Sequence, residues 1–365
     1  MIAPAEGEKL HQKQERLSEI IYNSPTSMPP SRYAFLITNQ CNLKCKWCFL
    51  EKNKKKNVME TQNWINLTKQ LPDYARVTIT GGEPFLYKGF KEVFSYIASH
   101  FDCNIISNGL LLTNELSELL LSFPKLGILG ISVDNMGNTI RDVKPKQWKR
   151  MEKEIKNFIR KRNEKNSNCV LNIKTTISDE NARELFTTHE YCVEELKSDY
   201  HDFQFLKGSP IQHSDKIVSF EEILKMPKTQ TYEKFDIIKQ QLEKVRQYNI
   251  KTGAKGFMLI QPTPDALCSK DPLPSIDYLN KPQVKENYKP CQIPWSDLQI
   301  NPDGSAFPCL LINLGNVKES SLIEIINGKQ MGRFRKVIKD NKLVPACNRC
   351  CYLKYDRGKK LQEGR

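Results

Sequence analysis

The hydrophobic positions of this chain fall into short, nearly continuous runs separated by stretches of helical spacing. β-rich runs stand at 33–38, 76–80, 103–107, 127–133, 169–177 and 203–206. Between them, apolar residues recur at helical intervals near 60–70, 90–100, 114–121, 146–161 and 181–196. Strands of this length alternating with helices predict a parallel sheet with right-handed crossovers. The runs are nearly all apolar, as strands covered on both faces should be. The class is α/β, with the sheet either doubly wound or a partial barrel. In both arrangements ligands sit beyond the carboxyl ends of the strands.

The flanks read differently. Residues 1–31 look like a loosely held extension ending in the proline-rich SPTSMPPS, which cannot continue a helix. The alternating core covers 32–210. Over 211–285 the pattern loosens, and a helix at 231–248 leads into a segment broken by Pro262, Pro264, Pro272, Pro274 and Pro282. This segment is read as a bridge over the active-site face. The last unit, 286–365, opens on a hairpin signal: SDLQI, the turn Asn301-Pro302-Asp303-Gly304, then SAFPCL. A helix at 322–327 follows.

Composition narrows the class. With 39% hydrophobic and 27% charged residues over 365, the chain can bury a real core in a catalytic domain plus a smaller appendage. No apolar run is long enough to span a bilayer, and the polar N-terminus lacks a secretory signal, so a cytoplasmic protein without membrane contact is expected. The net charge is +14, with lysine-rich runs at 52–56 and 144–165. Solvated helix faces account for most of it. An anionic substrate or protein partner is the second reading, and nucleic acid is not expected. The 12 cysteines decide more. In a long chain of a reducing compartment they point to metal ligation and not to disulfides.

Cys41, Cys45 and Cys48 follow the first strand directly, so they lie in a loop at its carboxyl end. A structural zinc or an electron-transfer cluster usually takes four protein ligands. Three leave one metal position open, although a zinc knuckle remains an alternative. Cys-x3-Cys-x2-Cys, with the aromatic Trp47 before the last cysteine, resembles the signature of the radical S-adenosylmethionine (SAM) superfamily. The resemblance implies a partial (β/α)6 barrel whose three cysteines hold a [4Fe-4S] cluster, the open iron chelating SAM. It also implies an external electron donor of flavodoxin or ferredoxin type. Reduction would cleave SAM to a 5′-deoxyadenosyl radical that abstracts hydrogen from the substrate, the protein supplying position and shielding.

Other strand ends extend the resemblance. Gly81-Gly82-Glu83-Pro84, ending the second strand, is similar to the superfamily's GGEP motif. Its glycines permit close backbone approach to a ligand, and Glu83 would meet the methionine ammonium of SAM. Ser107 and Asn108 after the third strand, and Ser132 and Asp134 ending the fourth, resemble further SAM and ribose contacts. Trp47 would pack near the adenine. Each is also an ordinary polar strand end or core contact when taken alone. Lys174 and Thr176 on the fifth strand could face the same space without an assigned role. The residues identify no catalytic base or hydrogen donor.

A second cysteine set comprises Cys291, Cys309, Cys347, Cys350 and Cys351. The hairpin brings the first pair together, and four thiolates could hold zinc or a [4Fe-4S] cluster. The spacing, with Gly304 before Cys309 and Leu314-Gly315-Asn316-Val317 after it, resembles the auxiliary-cluster region called SPASM or, in shorter form, twitch. The segment after Cys351 contains no further cysteine, so the one-cluster twitch form fits. That implies a second, auxiliary [4Fe-4S] cluster on Cys291, Cys309, Cys347 and Cys350, with Cys351 competing for the last place. Cys103, Cys169, Cys192 and Cys268 read as buried apolar residues. Cys268 is also a candidate hydrogen donor or substrate contact.

The implied activity is that of a radical SAM oxidoreductase or maturase that oxidises, cross-links or epimerises a peptide or protein side chain. Twitch-type relatives that act on an aminocyclitol keep a second reading open: dehydrogenation or epimerisation of a sugar or aminocyclitol. A third, in another class, is a non-catalytic metal-binding protein. Only about 31 residues precede the first strand, so a leader peptide would need a separate recogniser.

Overall fold

Seven strands run parallel in chain order: β1 (Arg32–Leu36), β2 (Arg76–Thr80), β3 (Asp102–Ser107), β4 (Leu126–Ser132), β5 (Val170–Ile177), β6 (Tyr200–Phe205) and β7 (Gly256–Met258). They belong to a computed structural model that describes residues 5–24, 27–48, 50, 58–206, 219–225, 231–259, 266–281, 284–309, 312–354 and 356. The lysine run at 52–56, Pro262, Pro264 and Pro282 fall outside these. Helices α2 (Thr61–Thr68), α3 (Phe90–His100), α4 (Asn114–Leu121), α5 (Pro145–Glu164) and α6 (Leu185–Glu194) connect consecutive strands from β1 to β6. After β6 come α7 (Phe220–Leu224) and α8 (Phe235–Thr252), before β7. The alternation read from the hydrophobic pattern is therefore the architecture, with helix ends set by local chemistry. Thr113 caps α4 by accepting from the Leu116 N–H, and Gly253 ends α8 in the left-handed conformation.

The strands are not unbroken apolar runs: β2 alternates buried Val77 and Ile79 with partly exposed Arg76, Thr78 and Thr80, and β6 carries His201, Asp202 and Gln204. Val77, Ile79, Ile105, Leu129, Ile131 and Ile173 are fully buried. Trp64 of α2 is also fully buried and lies 5.1 Å from the ring of Phe35 on β1. Truncating such a side chain to alanine costs about 3–5 kcal/mol.

The flanks depart from the sequence reading in several ways. Residues expected to form a loose extension form a helix, α1 (Ala5–Asn23). Its last turn is anchored by buried Ile21 and by Tyr22, edge-on to Trp295 at 4.9 Å. So little of α1 is apolar that its helicity depends on this docking and leaves a weak sequence signal. The unexpected three-residue β7 extends the sheet beyond β6. At the other edge, β8 (Asp297–Ile300) follows the short helix α9 (Ile293–Ser296) and pairs parallel to β1, with Arg32 opposite Asp297. The expected hairpin continues through β9 (Ser305–Phe307) to β10 (Gly315–Asn316), so the C-terminal unit shares one sheet with the core. Helix α10 (Leu322–Ile326) was expected, whereas α11 (Lys329–Asn341) was not. Its buried face is only Met331, Phe334 and Ile338 amid cationic residues. Among the described residues no helix is long and apolar enough to cross a membrane.

Candidate active site at the strand ends

Beyond Leu36 the chain runs on to Cys41 beside the exit of β2. The Ile37 N–H donates to the Thr80 carbonyl at 3.0 Å, Gly82 to Thr38 at 2.7 Å and Glu83 to Gln40 at 2.8 Å. The two exits thus stay paired after the strands end. Gly81 has φ +146°, and a Cβ there would lie 2.4 Å from the Thr38 carbonyl oxygen. At Gly82 a Cβ would lie 2.2 Å from that of Gln40. Both contacts are too short for any side chain. The close approach made by these glycines is to the backbone leading into the cysteine loop. Pro84 then starts a single 3-10 turn.

Glu83 is fully buried. Its Oε1 accepts from the Phe85 N–H at 3.2 Å and the Ser107 hydroxyl at 2.9 Å, and its Oε2 from the Asn108 N–H at 2.8 Å. Burial pushes this carboxyl up to about 7, against the opposing effect of those donors. The Asn108 side-chain amide points onward, donating to Asn42 Oδ1 at 2.7 Å and towards Cys41 Sγ at 3.8 Å. Ser107 and Asn108 therefore join Glu83 to the cysteine loop.

At the exit of β4, Asp134 is fully buried and accepts from the Thr176 N–H at 2.6 Å and from the Arg141 guanidinium. Burial raises its carboxyl while Arg141 opposes the rise. Asn138, in the left-handed conformation at φ 51°, shapes this turn. Its side chain donates to the Ser132 carbonyl at 3.0 Å and accepts from the Asp134 N–H at 3.0 Å. Arg141 also reaches Cys45 Sγ at 3.6 Å and stands 5.9 Å from the Trp47 ring centre. Sequence reading did not single out Arg141, because nothing in its local pattern signals the approach. On β5, Lys174 pairs with Asp202 at 2.7 Å, and Thr176 serves through its main chain.

Cys41, Cys45 and Cys48 are half-buried, and the Cys48 N–H closes on the Cys45 carbonyl at 3.3 Å. Donors face two of the sulfurs: Leu43 N–H and the Asn108 amide on Cys41, Arg141 on Cys45. Such donors suit the anionic thiolates that ligate an iron–sulfur cluster. Among the described residues no three His, Cys, Asp or Glu side chains form a metal-ion site.

Cys291 and Cys347 are buried neighbours in the C-terminal unit, and burial with the adjacent Cys347 pushes the Cys291 thiol up. Cys309 and Cys350 pack against the core that contains both, and the Cys350 N–H closes a turn on Cys347 at 3.0 Å. Cys351 interacts electrostatically with Arg32 and Tyr352. The structure thus brings Cys291 beside Cys347 and turns Cys350 back on Cys347, but among the described residues it does not gather these thiols into one metal-ion site. Cys103, Cys169 and Cys192 are buried, as expected, while Cys268 is half-buried with its Sγ 3.2 Å from the Gly256 carbonyl.

Two family models match: the radical SAM superfamily over residues 35–192 and an iron–sulfur cluster-binding domain, SPASM, over 291–351. The sporulation killing factor maturation protein SkfB of Bacillus subtilis (strain 168) is 33% identical over 176 residues, 47% of this chain and 42% of that protein. The antilisterial bacteriocin subtilosin biosynthesis protein AlbA of the same organism is 31% identical over 117 residues, 31% of this chain and 26% of that one. The matches span less than half of either relative. Streptococcus suis SuiB bound to S-adenosylmethionine superposes with a TM-score of 0.61 at 17% identity, covering 90% of this chain and 72% of that chain. SuiB bound to precursor peptide SuiA gives 0.62 at 17% identity, covering 90% and 71%. These likenesses establish the fold as the radical SAM partial barrel with a C-terminal SPASM region. The cofactors that go with it are SAM and [4Fe-4S] clusters, one on the barrel and an auxiliary site in the SPASM region. The chain carries a radical SAM superfamily domain over residues 35–192 and a C-terminal iron–sulfur domain of the SPASM type over 291–351.

Proposed function

We propose that this protein is a radical SAM maturase that oxidises, cross-links or epimerises a side chain of a peptide or protein. Cys41, Cys45 and Cys48 hold the catalytic cluster in this reading, and Cys291, Cys309, Cys347 and Cys350 a single auxiliary one. When bound and reduced by a flavodoxin- or ferredoxin-like donor, the cluster and SAM supply a 5′-deoxyadenosyl radical that takes a hydrogen atom from the substrate. Glu83 receives the SAM ammonium, Gly81, Gly82 and Pro84 shape that turn, and Ser107 with Asn108 holds the carboxylate in place. Ser132 and Asp134 line the ribose side and Trp47 the adenine. The barrel is assigned to 32–210 and the auxiliary unit to 286–365, joined by 211–285 and preceded by 1–31.

The observation that carries the SAM site is the chain of contacts from Glu83 through Asn108 to Cys41. It sets a buried carboxylate one residue away from a cluster ligand, where the amino-acid end of SAM must lie to reach an open iron. The peptide class is supported by SkfB and AlbA, whose names describe maturation and bacteriocin biosynthesis, and by SuiB bound to its precursor peptide.

Anaerobically reconstituted protein should release 5′-deoxyadenosine from SAM on reduction, and Cys41→Ala, Cys45→Ala and Cys48→Ala should each abolish it. Co-expression with a short peptide encoded beside the gene should yield a peptide lacking two hydrogens, or one carrying solvent deuterium at an inverted α-carbon. An unmodified peptide together with turnover of an aminocyclitol would return the small-molecule reading.

A further inference from the structure

The outer face of α5 carries a row of positive charge. Lys146, Lys149, Arg150 and Lys153 recur at the i, i+3, i+4, i+7 spacing that puts residues on one face of a helix. All four are exposed, opposite the buried Trp148, Met151, Ile155 and Phe158 that pack into the core. None of the four forms an ion pair among the described residues. Glu152, whose field reaches Lys149, is itself held by Lys156 at 2.8 Å. Further along the helix the cations are neutralised, Lys156 by Glu152 and Glu195, Arg160 by Glu164 and Lys161 by Glu118. Exposed Lys144 extends the row at the helix start, and exposed Asp142 stands against it.

The row begins on the cluster's side of the sheet. Because α5 follows β4, its first turn stands at the carboxyl ends of the strands, with Cys41 and Glu83. A 3-10 segment, Met136–Arg141, leads into α5 and packs against it. Its Arg141 reaches Cys45 Sγ at 3.6 Å, so this segment connects the surface to the cysteine loop. At its other end Met136, 53% exposed, is the most exposed large apolar side chain of the described residues. The turn that presents it has Gly137 at φ 75° and Asn138 at φ 51°. Across the segment, Glu184 accepts from Asn135 at 3.1 Å and Glu180 pairs with Lys46 at 2.7 Å. An adaptable thioether bordered by cations has the composition of a contact surface, apolar at the centre and charged at the rim.

We infer that Met136 and the exposed face of α5 form the docking surface for the external electron donor, a small acidic one-electron carrier protein. The inference rests on the reading above that such a donor reduces the N-terminal cluster. One electron leaves the reduced carrier and enters that cluster, and no bond forms or breaks in the transfer. Four unpaired cations on one face call for a partner rich in carboxylates, which they steer into contact. The row extends about 10 Å along the helix, in keeping with the small contacts of electron-transfer encounters. It lies on the outside of the barrel, whereas a substrate has to reach SAM at the strand ends.

The test uses anaerobically reconstituted full-length protein with SAM. The donor is whichever of purified flavodoxin and a [4Fe-4S] ferredoxin supports cleavage by wild type. With donor limiting, formation of 5′-deoxyadenosine reads electron delivery to the N-terminal cluster, and reduced methyl viologen, a small cation, serves as the reductant that needs no docking. A variant combining Lys146→Glu, Lys149→Glu, Arg150→Glu and Lys153→Glu should be about tenfold or more slower with the protein donor at low salt, and no slower with viologen. The same charge change on α11, by Lys329→Glu, Arg333→Glu, Lys336→Glu and Lys339→Glu, should leave the donor rate near wild type. Zero-length carbodiimide coupling of wild type to the donor, which joins amines to carboxylates, should place cross-links on Lys146, Lys149 and Lys153. If the α5 variant loses iron, the cross-links decide. An unchanged donor rate in that variant, an equal loss with viologen or in the α11 variant, or cross-links confined to other lysines would overturn the docking surface and leave the external-donor reading standing. Cleavage by wild type with viologen but with neither protein donor would remove both.

Discussion

Arg141 donates to the Cys45 sulfur at 3.6 Å while Asp134 holds the other side of its guanidinium. Burial opposes the charge of Arg141, but Asp134, Cys45 and Cys48 outweigh it and keep the group above its ordinary value. A fixed cation beside cluster thiolates stabilises the reduced, more negative state. Arg141→Gln should therefore move the midpoint potential of the N-terminal cluster negative, by on the order of tens of millivolts. Because the change also leaves Asp134 buried without its partner, Arg141→Gln with Asp134→Asn serves as the second variant. A redox titration followed by electron paramagnetic resonance checks this. Unchanged potentials in both variants would remove Arg141 from the electrostatics of the cluster.

Glu83 should make SAM binding depend on pH. Its carboxyl is pushed up to about 7 in the ligand-free protein, and the ionised form is the one that pairs with an ammonium. Wild-type affinity should strengthen as pH rises towards and past about 7, then level. Glu83→Gln should bind SAM more weakly at all pH values, since hydrogen bonds to charged groups contribute roughly 1.5–3 kcal/mol, and should lose the pH dependence. Calorimetric titration between pH 6 and pH 8 reads both; a sloping profile in the glutamine variant would place the titrating group elsewhere.

The two cysteine sets should separate in iron content. Wild type should hold about eight irons, four per cluster, and Cys291→Ala with Cys309→Ala about half of that. Release of 5′-deoxyadenosine should survive in the double variant, because Cys41, Cys45 and Cys48 are untouched. Formation of modified substrate should fail. Turnover at the wild-type rate would reduce the C-terminal cluster to a staple.

Acid should loosen the barrel at a buried histidine pair. His189 on α6 and His201 on β6 stack with ring centres 5.1 Å apart and share a 3.0 Å Nδ1 to Nδ1 contact. Asn249 meets His189 at 2.7 Å and Thr175 meets His201 at 2.7 Å. Burial lowers both rings, His189 to about 4 and His201 further helped by His189 and Lys174. In the unfolded chain each titrates near 6.5. The unfolded state thus binds more protons below that pH, so the pair's contribution is complete above about 6.5 and is lost as pH falls towards 4. For His189 alone the loss approaches about 3 kcal/mol. Thermal melts from pH 7.5 to pH 5 should show a shallower acid decline in His189→Gln than in wild type; parallel curves would contradict the assignment.

The β/α order and the hairpin were legible in the linear chain because each rests on local information. Buried apolar positions such as Val77 and Ile79 on β2 recur at the two-residue period of a strand, and the 3-10 and helical stretches between strands carry their own spacing. The helical spacing of 90–100 and 114–121 marks α3 and α4 to the residue. Cys41, Glu83, Ser107 and Asp134 could be placed together for the same reason, since all follow consecutive parallel strands and must emerge on one side of the sheet.

What lies outside that register was decided by packing between distant segments. Helix α1 exists where Ile21 and Tyr22 find the C-terminal unit, and β8 joins β1 across 265 positions of sequence in the pairing of Arg32 with Asp297. The roles of Gly81 and Gly82 against Thr38 and Gln40, of Arg141 against Cys45 and of Arg349 above Tyr232 are contacts between chain segments. Periodicity and spacing carry information over a few residues, enough to determine which elements form and which strand ends face the chemistry. They carry none about which arginine a folded loop delivers to a sulfur or a ring, and only the tertiary structure supplied that.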